Sequence, residues 1–584
     1  MTIGLPTAKK LQLALLLLGI VALAVAAWDV ATGGFYLTVA GVRVSSREAY
    51  KPFRLGMLAL VAAIWLGDQV AEPRNRSWER LPAWTPRIAA GIALVSLLVA
   101  IRLGIFAAGG SDSYGYVTQA SLWASGRLVT PNPLAALEPA LGAAVAPMGY
   151  RLATTPGAIV PIYPPGLPMA MAVALKAGGA TAVYYVVPLL GALAVWLTYL
   201  LGARVDRPVT GMMAAILVAF SPIFMFHTFQ PMSDVPVTAW WLLAWVLAAS
   251  PSQLAAFGSG LAVSAATLTR PNLVPLAVVL VAVVAAHAPR ARRMALFAAG
   301  SIPGGLIVAA VNARLYGSPL AAGYGPVEAL YSWHYWKANV PAYGAWLIDL
   351  NTPYVVLAFL APFAARVRHW LAMLTFFALL CACYLWYTPF STWPFLRFLL
   401  PAIPLLFILS SAVVVRAVSL LPITLRTAAV FTLCTLLPIW YVIKLDSLTM
   451  FASQRSEHRY VAIGTYLGRT LPPNVVVLSM IQSGSIRLYG DRLTVRWDML
   501  PAGKLDAAVA TLQAGGYHPY LLLEEWEVPM FRELFSAGNQ FGRLDWPPAF
   551  EYRDFGKVSI YDVEDRARFF AGVNVAPRMV PLDR

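Results

Sequence analysis

About thirteen apolar runs, each close to membrane-spanning length, constrain this chain more than any other feature. They fall near 11–27, 54–71, 88–107, 183–203, 209–227, 235–250, 254–270, 272–287, 294–312, 353–367, 369–387, 397–415 and 427–445. A helix needs roughly 20 apolar residues to cross a hydrocarbon core about 30 Å thick. The runs bounded by Pro231–Pro236 and by Pro271 are short by that measure, and 254–270 with 272–287 also fits a single re-entrant hairpin. Of 584 residues, 59% are hydrophobic and 12% charged, with a mean hydropathy of +0.68. A soluble chain of this make-up would expose far too much apolar surface. The expected fold class is an all-α polytopic membrane protein with an added α/β domain at its C-terminus.

Basic residues set the expected orientation. Lys9 and Lys10, then Arg74, Arg76, Arg80 and Arg87, then Arg204 and Arg207, Arg290, Arg292 and Arg293, Arg366 and Arg368, and Arg416 and Arg426 all fall on one side of the runs. The positive-inside rule makes that side cytoplasmic. The net charge of +16 then faces anionic lipid headgroups, and a nucleic-acid partner is not expected. Lys9 and Lys10, with Ala24-Val25-Ala26 near the end of the first run, also fit a cleaved leader. The three cysteines, Cys381, Cys383 and Cys434, lie inside runs, so no external disulfide framework or cysteine metal site is expected.

Three parts follow from the pattern. Residues 1–87 read as an N-terminal transmembrane hairpin whose outer loop alternates apolar and polar residues like a small β-ribbon. Residues 88–445 form the helical body, interrupted by a long outer segment at 108–182. Residues 446–584 change character and read as an extracytoplasmic α/β domain, with strands at 474–479, 493–497, 520–524 and 558–563 and helices at 504–515 and 528–538. The 108–182 segment is too long for a simple connection and too aromatic for a disordered one. Within it, 114–128 places Tyr114, Val117, Ser121, Leu122, Trp123 and Leu128 on one face, as an interfacial helix would. The proline-opened run 162–179 reads as a second interfacial or re-entrant helix.

Asp112 stands just past the outer end of an apolar run, in GGSDSYGYVTQASLWASGRL. A carboxylate at a membrane face costs free energy unless it is paired or used, so its default reading is functional. The competing structural reading is a helix cap before an amphipathic stretch.

Seven ordered motifs carry a resemblance. They are Asp112 beyond a span; GRLVTP (126–131) after the interfacial helix; YPPGLP (163–168); QPMSDVPVTAWW (230–241); LTRPN (268–272) and HYWK (334–337); and FLRFLLPAIPLL (395–406). Taken in order on one membrane face, over roughly residues 88–415, this set resembles the GT-C glycosyltransferases. The likeness is to family 39-like members, which include protein mannosyltransferases and lipid A aminoarabinose transferases. The resemblance implies a GT-C body and inverting transfer of a sugar from a polyprenyl-phosphate-linked donor to a glycan, lipid or protein acceptor. The reaction would take place on the outer face of a bacterial inner membrane.

By the same resemblance Asp112 is the catalytic base, and Arg270, Lys337, Arg397 and His334 bind the donor phosphate. Asp234 is either a second acidic group or a helix cap, with capping favoured. Tyr114, Tyr163 and Arg151 are expected to contact donor or acceptor. The chemistry asks for these residue types independently: a lipid phosphate leaving group needs cations, and an acceptor hydroxyl needs a base. Each has a plainer reading: Arg270 and Arg397 as snorkelling residues, and His334 with Lys337 as part of an aromatic belt. Trp497, Trp526 and Trp546 suit sugar stacking but are more commonly core. Tyr163 departs from the lysine of many aminoarabinose-transferase-like relatives, which argues against that exact activity. No metal-ligand spacing is visible, which leaves a divalent metal open. The alternatives are a lipid or solute transporter or flippase, for which inverted repeats and mid-membrane ionisable groups are lacking, and a non-catalytic scaffold.

Overall fold

The computed structural model describes residues 5–39, 42–46, 48, 50–68, 81–364 and 367–581; Arg74, Arg76, Arg80 and Arg366 lie outside the described residues. Each of the thirteen apolar runs contains helix. Among the described residues, five helices are long and apolar enough to cross a membrane: Thr85–Leu103, Ala182–Val205, Arg290–Tyr316, Trp393–Val418 and Leu425–Ser447. Two more candidates are bent pairs: Pro208–Phe220 with Pro222–Thr228 at 61°, and Trp333–Asn351 with Pro353–Ala364 at 106°. The chain is an integral membrane protein. Among the described residues the candidate spans number five to seven by length and composition, against about thirteen apolar runs.

Proline accounts for much of the difference. It removes a backbone donor and clashes with the preceding turn, so Pro222, Pro271, Pro353 and Pro394 each open a fresh helical segment. Three of these segments, Pro271–Leu276, Pro353–Leu360 and Trp393–Ala402, are tight 3-10 turns. The breaks are concentrated in the interior. The spanning window of Trp393–Val418 is wholly buried, whereas that of Thr85–Leu103 is 17% buried, so the helix that starts at Trp393 is the axis of the body.

The N-terminal hairpin pairs Leu5–Thr32 with Tyr50–Asp68 across an antiparallel ribbon, β1 (Phe35–Val39) and β2 (Val42–Ser46). The long segment after Thr85–Leu103 contains helix Ser111–Ala124, a three-stranded sheet of β3 (Thr130–Pro131), β4 (Tyr150–Leu152) and β5 (Ala158–Pro161) in the order β3-β5-β4, and helix Gly166–Gly178. Helix Ser111–Ala124 ends in a Schellman motif. The Gly126 N–H bonds to the Trp123 carbonyl at 2.9 Å and the Arg127 N–H to the Leu122 carbonyl at 3.0 Å, with Gly126 at φ 73. This helix is covered mainly by protein. Tyr114, Gly115, Tyr116, Val117, Gln119, Ala120 and Leu122 are buried, so several faces are covered, by the body and by the C-terminal region.

The C-terminal region is built on six strands: β6 (Val475–Leu478), β7 (Leu493–Val495), β8 (His518–Glu524), β9 (Phe550–Asp554), β10 (Gly556–Asp562) and β11 (Arg578–Met579). They run β11-β9-β10-β8-β6-β7, with β6 parallel to β7 and β8, and β10 antiparallel to β8 and β9. Strand alternation sends Val476, Leu478, Leu521 and Leu523 into one core and Val475, Val477, Tyr520 and Leu522 into the other. The four expected strands and two expected helices are present. Strands β9 and β11 and helices Ser453–Thr470, Ser483–Gly490 and Val563–Phe570 are additional.

The region does not have a core wholly of its own. Leu134, Leu141, Ala144 and Val145 from the 108–182 segment complete the first core. The Arg487 guanidinium donates to the Val145 carbonyl at 2.8 Å, and the Arg496 N–H to the Ala144 carbonyl at 2.8 Å. Trp497 and Trp546 are core residues, while Trp526 is exposed.

Buried Glu527 gives this region a pH dependence. Its carboxylate accepts the backbone N–H groups of Ile481 at 3.1 Å and Glu524 at 2.8 Å, yet burial pushes its carboxyl up to about 7. A carboxyl raised in the fold holds a proton that the unfolded chain releases near 4.5, so this contribution is full below that pH and fades as pH rises to about 7. The loss should reach about 3 kcal/mol. Amide exchange of β6 and β8 should therefore quicken between pH 5 and 8 in the wild type and change less in Glu527→Gln; equal pH dependence in both would remove Glu527 as the cause.

Candidate active site

Five polar groups stand at breaks in the helical body. Asp112 follows Gly109-Gly110 in the first turn of Ser111–Ala124. His227 belongs to the short helix behind the 61° bend. Asp234 opens Asp234–Ala248 after Pro231. Arg270 ends Gln253–Thr269 in an extended conformation (φ −145, ψ 90) just before Pro271. Arg397 lies in the 3-10 segment between Pro394 and Pro401. A break leaves backbone groups and polar side chains free of the regular ladder, so breaks are where an apolar body can gather charge.

The breaks converge. Arg270 Nη2 donates to Asp234 Oδ1 at 2.5 Å, and Arg397 Nη1 donates to Asp112 Oδ2 at 3.1 Å. Arg397 Nη1 also lies 3.9 Å from Asp234 Oδ2, which links the two pairs into one cluster. The aromatic ring of Phe398 sits beneath both guanidiniums, 5.6 Å from that of Arg270 and 5.4 Å from that of Arg397. His227 Nδ1 is 3.9 Å from Asp234 Oδ2. Its Nε2 is 3.0 Å from the Pro394 carbonyl, and since a carbonyl can only accept, Nε2 carries the proton. Ser233 Oγ accepts from the Tyr116 hydroxyl at 2.9 Å and from Arg270 Nε at 3.3 Å, and Arg270 Nη1 donates to the Tyr384 hydroxyl at 3.4 Å.

Two carboxylates and two guanidiniums balance in charge, but not in access. The Asp234 side chain is 0% exposed, those of Arg270 and Arg397 are 11% and 15% exposed, and that of Asp112 is 33% exposed. Asp234 is thus the internal counter-ion and Asp112 the more accessible of the two acids. Arg397 Nε and Asp234 Oδ2 are buried with no hydrogen-bond partner among the described residues. Buried polar atoms are normally paired, so an unused guanidinium N–H here is a donor held in reserve.

Tyr163 fixes Asp112 from the other side. Its hydroxyl donates to Asp112 Oδ1 at 2.9 Å and lies 2.8 Å from Ser111 Oγ, while its carbonyl accepts from Gln119 Nε2 at 3.1 Å. Burial, and then the Asp112 charge, hold the Tyr163 hydroxyl well above its ordinary value of 10.0, so it remains a donor. The ring lies against Gly115: a Cβ there would come within 1.9 Å of Tyr163 Cε2. Gly115→Ala should therefore displace Tyr163 and destabilise the protein by about 1–3 kcal/mol. A thermal melt in detergent matching the wild type would show that the ring moves aside freely.

The capping expectation is corrected. Asp234 makes no side-chain cap bond and is an ion-pair partner instead; Asp112 likewise makes no cap bond. A charge buried at a helix start is better satisfied by a charged guanidinium than by a neutral backbone N–H. Lys337 and His334 are exposed, and no hydrogen bond or ion pair joins either side chain to the cluster among the described residues. Arg151 is exposed, stacks over Tyr316 at 5.7 Å and donates to the Ala322 carbonyl at 3.4 Å, so it too stands apart. Tyr114 packs on Tyr150 and against Gly484 of the C-terminal region, a structural role. His227, Ser233, Tyr116 and Tyr384 were missed. Only His227 had a local signal, as an ionisable residue inside an apolar run. Among the described residues no three His, Cys, Asp or Glu side chains lie close enough to hold a metal ion, and both carboxylates here are taken by arginines.

No family model matches the chain, and no curated protein sequence does. Solved structures share its fold. The ArnT of Cupriavidus metallidurans bound to undecaprenyl phosphate is similar with a TM-score of 0.52 and 13% identity, over 83% of this chain and 98% of that one. The oligosaccharyltransferase of Archaeoglobus fulgidus in its apo form is similar with a TM-score of 0.50 and 12% identity, over 82% of this chain and 74% of that one. At these identities the likeness is one of fold: a GT-C-type helical body with a C-terminal mixed sheet.

Proposed function

We propose that this protein is a glycosyltransferase that moves a sugar from a polyprenyl-phosphate-linked donor to an acceptor on the outer face of a bacterial inner membrane, with inversion. The observation that carries the reading is the convergence of Asp112, Arg397, Asp234 and Arg270 from four separate helix breaks. The 108–182 segment, with Asp112 at its start, and the 446–584 domain stand on the outer side, and residues 1–87 form an accessory hairpin.

In the reaction the acceptor hydroxyl oxygen attacks the anomeric carbon as the bond from that carbon to the phosphate oxygen breaks. The hydroxyl proton passes to the Asp112 carboxylate, and the polyprenyl phosphate departs with the bonding electrons. Charge builds on the phosphate, where Arg397 and Arg270 receive it. An arriving phosphate competes with Asp112 for Arg397 Nη1 and finds the unused Nε beside it, so donor binding itself frees the base. Asp234 stays behind to hold Arg270. Tyr163 keeps one Asp112 oxygen in place, and neither Lys337 nor His334 is needed in the resting cluster.

Binding is the direct test. The full-length protein in detergent should bind a polyprenyl phosphate, and Arg397→Ala should weaken that binding at least about tenfold, a loss of roughly 1.4 kcal/mol. Incubation with synthetic polyprenyl-phosphate-linked sugars should release polyprenyl phosphate. Failure to bind any polyprenyl phosphate would favour the transporter reading. Binding without sugar release in any donor tried, and with lipid movement across vesicles, would establish it.

A further inference from the structure

The C-terminal sheet carries a cleft of about 440 Å³, lined by apolar and charged residues, along helix Ser453–Thr470 and the ends of β8 and β10. We infer that this cleft is a subsite for a sugar ring of the acceptor, with Trp526 as its stacking platform, so that the acceptor is a glycan or glycan-bearing molecule. The inference rests on the transferase reading above.

Trp526 is 51% exposed, a large apolar surface to leave in water. It is also held in place. Its indole N–H donates to Glu524 Oε2 at 3.1 Å, and the buried Glu524 carboxylate is fixed by Arg459 Nε at 3.1 Å, Arg459 Nη2 at 3.2 Å and Gln482 Nε2 at 2.9 Å. A solvent-facing indole with an anchored edge has already lost its rotational freedom. That is the condition under which an aromatic face binds a ring well. Ser456, Glu525 and Lys557 around it supply acceptors and donors of both charge signs. Such a mixed set suits hydroxyl groups, which both donate and accept. A phosphate would meet Glu525, and a cationic peptide would meet Lys557.

The position matters as much as the chemistry. Arg459 lies over the Tyr460 ring at 4.4 Å. Tyr460 and Glu457 pack on Gly109, where a Cβ would fall 2.4 Å from Glu457 Oε2 and 2.6 Å from Tyr460 Cδ2. Gly109 is three residues before Asp112, at most about 10 Å of chain. One layer of side chains therefore separates the cleft from the turn that bears the proposed base, close enough for one acceptor to span both.

The probe is a panel of soluble oligosaccharides, tested against the full-length protein in detergent by glycan array and then by titration of intrinsic tryptophan fluorescence. The wild type should retain at least one class of oligosaccharide. Trp526→Ala should weaken that binding at least about tenfold, with Trp526→Phe recovering most of it because a phenyl ring still stacks. Polyprenyl phosphate binding should be unchanged in both variants, which also shows that they are folded. No oligosaccharide retained, indifference to Trp526→Ala, or retention of unglycosylated peptides in their place would each overturn the inference. Because polyprenyl phosphate binding is read separately, any of these results leaves the transferase reading standing, whereas loss of polyprenyl phosphate binding in the wild type removes that reading.

Discussion

Replacing Asp112 by asparagine is expected to slow sugar transfer by about 10²–10⁴-fold, the usual cost of losing a general base. Asparagine keeps the size of the side chain: its one amide oxygen can still accept from Arg397, and its NH2 can donate to the Tyr163 hydroxyl oxygen, so the local geometry should hold. It cannot take the acceptor proton. Polyprenyl phosphate affinity should stay within a few-fold of the wild type, since the change removes a competitor for Arg397 and no ligand of the phosphate. The contrast with Arg397→Ala is the informative part: one variant should lose turnover at saturating donor, the other affinity. Near-normal turnover in Asp112→Asn would take Asp112 out of the mechanism and leave it as a partner of Arg397.

Asp234→Ala should be the most damaging change to the fold, destabilising it by about 3–5 kcal/mol. Asp234 is fully buried and faces Arg270 at 2.5 Å and Arg397 at 3.9 Å. Removing it leaves two guanidiniums in an apolar interior with Asp112 as their nearest counter-charge. Such a residue is easily mistaken for a catalytic one, because its loss would also abolish activity. Thermal unfolding separates the cases: Asp112→Asn should melt near the wild type and Asp234→Ala far below it. If Asp234→Ala melts like the wild type, water reaches the cluster and the counter-ion role is wrong.

What the sequence determined by itself was the membrane class and the C-terminal α/β region. Apolar runs of near-spanning length leave few alternatives for a chain 12% charged. The short apolar runs at 474–479 and 520–524 need only near neighbours to be read, and both segments are strands. Proline and glycine announce breaks locally, and each of Asp112, Asp234, Arg270 and Arg397 stands within a few residues of one. These signals are short-range, set by backbone sterics and by the period of the side chains.

Only the tertiary structure decided which breaks meet. Arg397 is 285 residues from Asp112, and nothing local distinguishes it from Lys337, which remains exposed. Asp234 reads locally as a cap because it opens a helix; a guanidinium arriving from Arg270, 36 residues on, outcompetes that use. Tyr163 carries no charge, yet its hydroxyl holds Asp112, an arrangement set by the space that Gly115 leaves. The shared core of Leu134, Leu141, Ala144 and Val145 with the C-terminal sheet is likewise invisible along the chain. An ion pair or a packed face depends on a partner's position in space, and local sequence encodes only the conformations that allow the partners to meet.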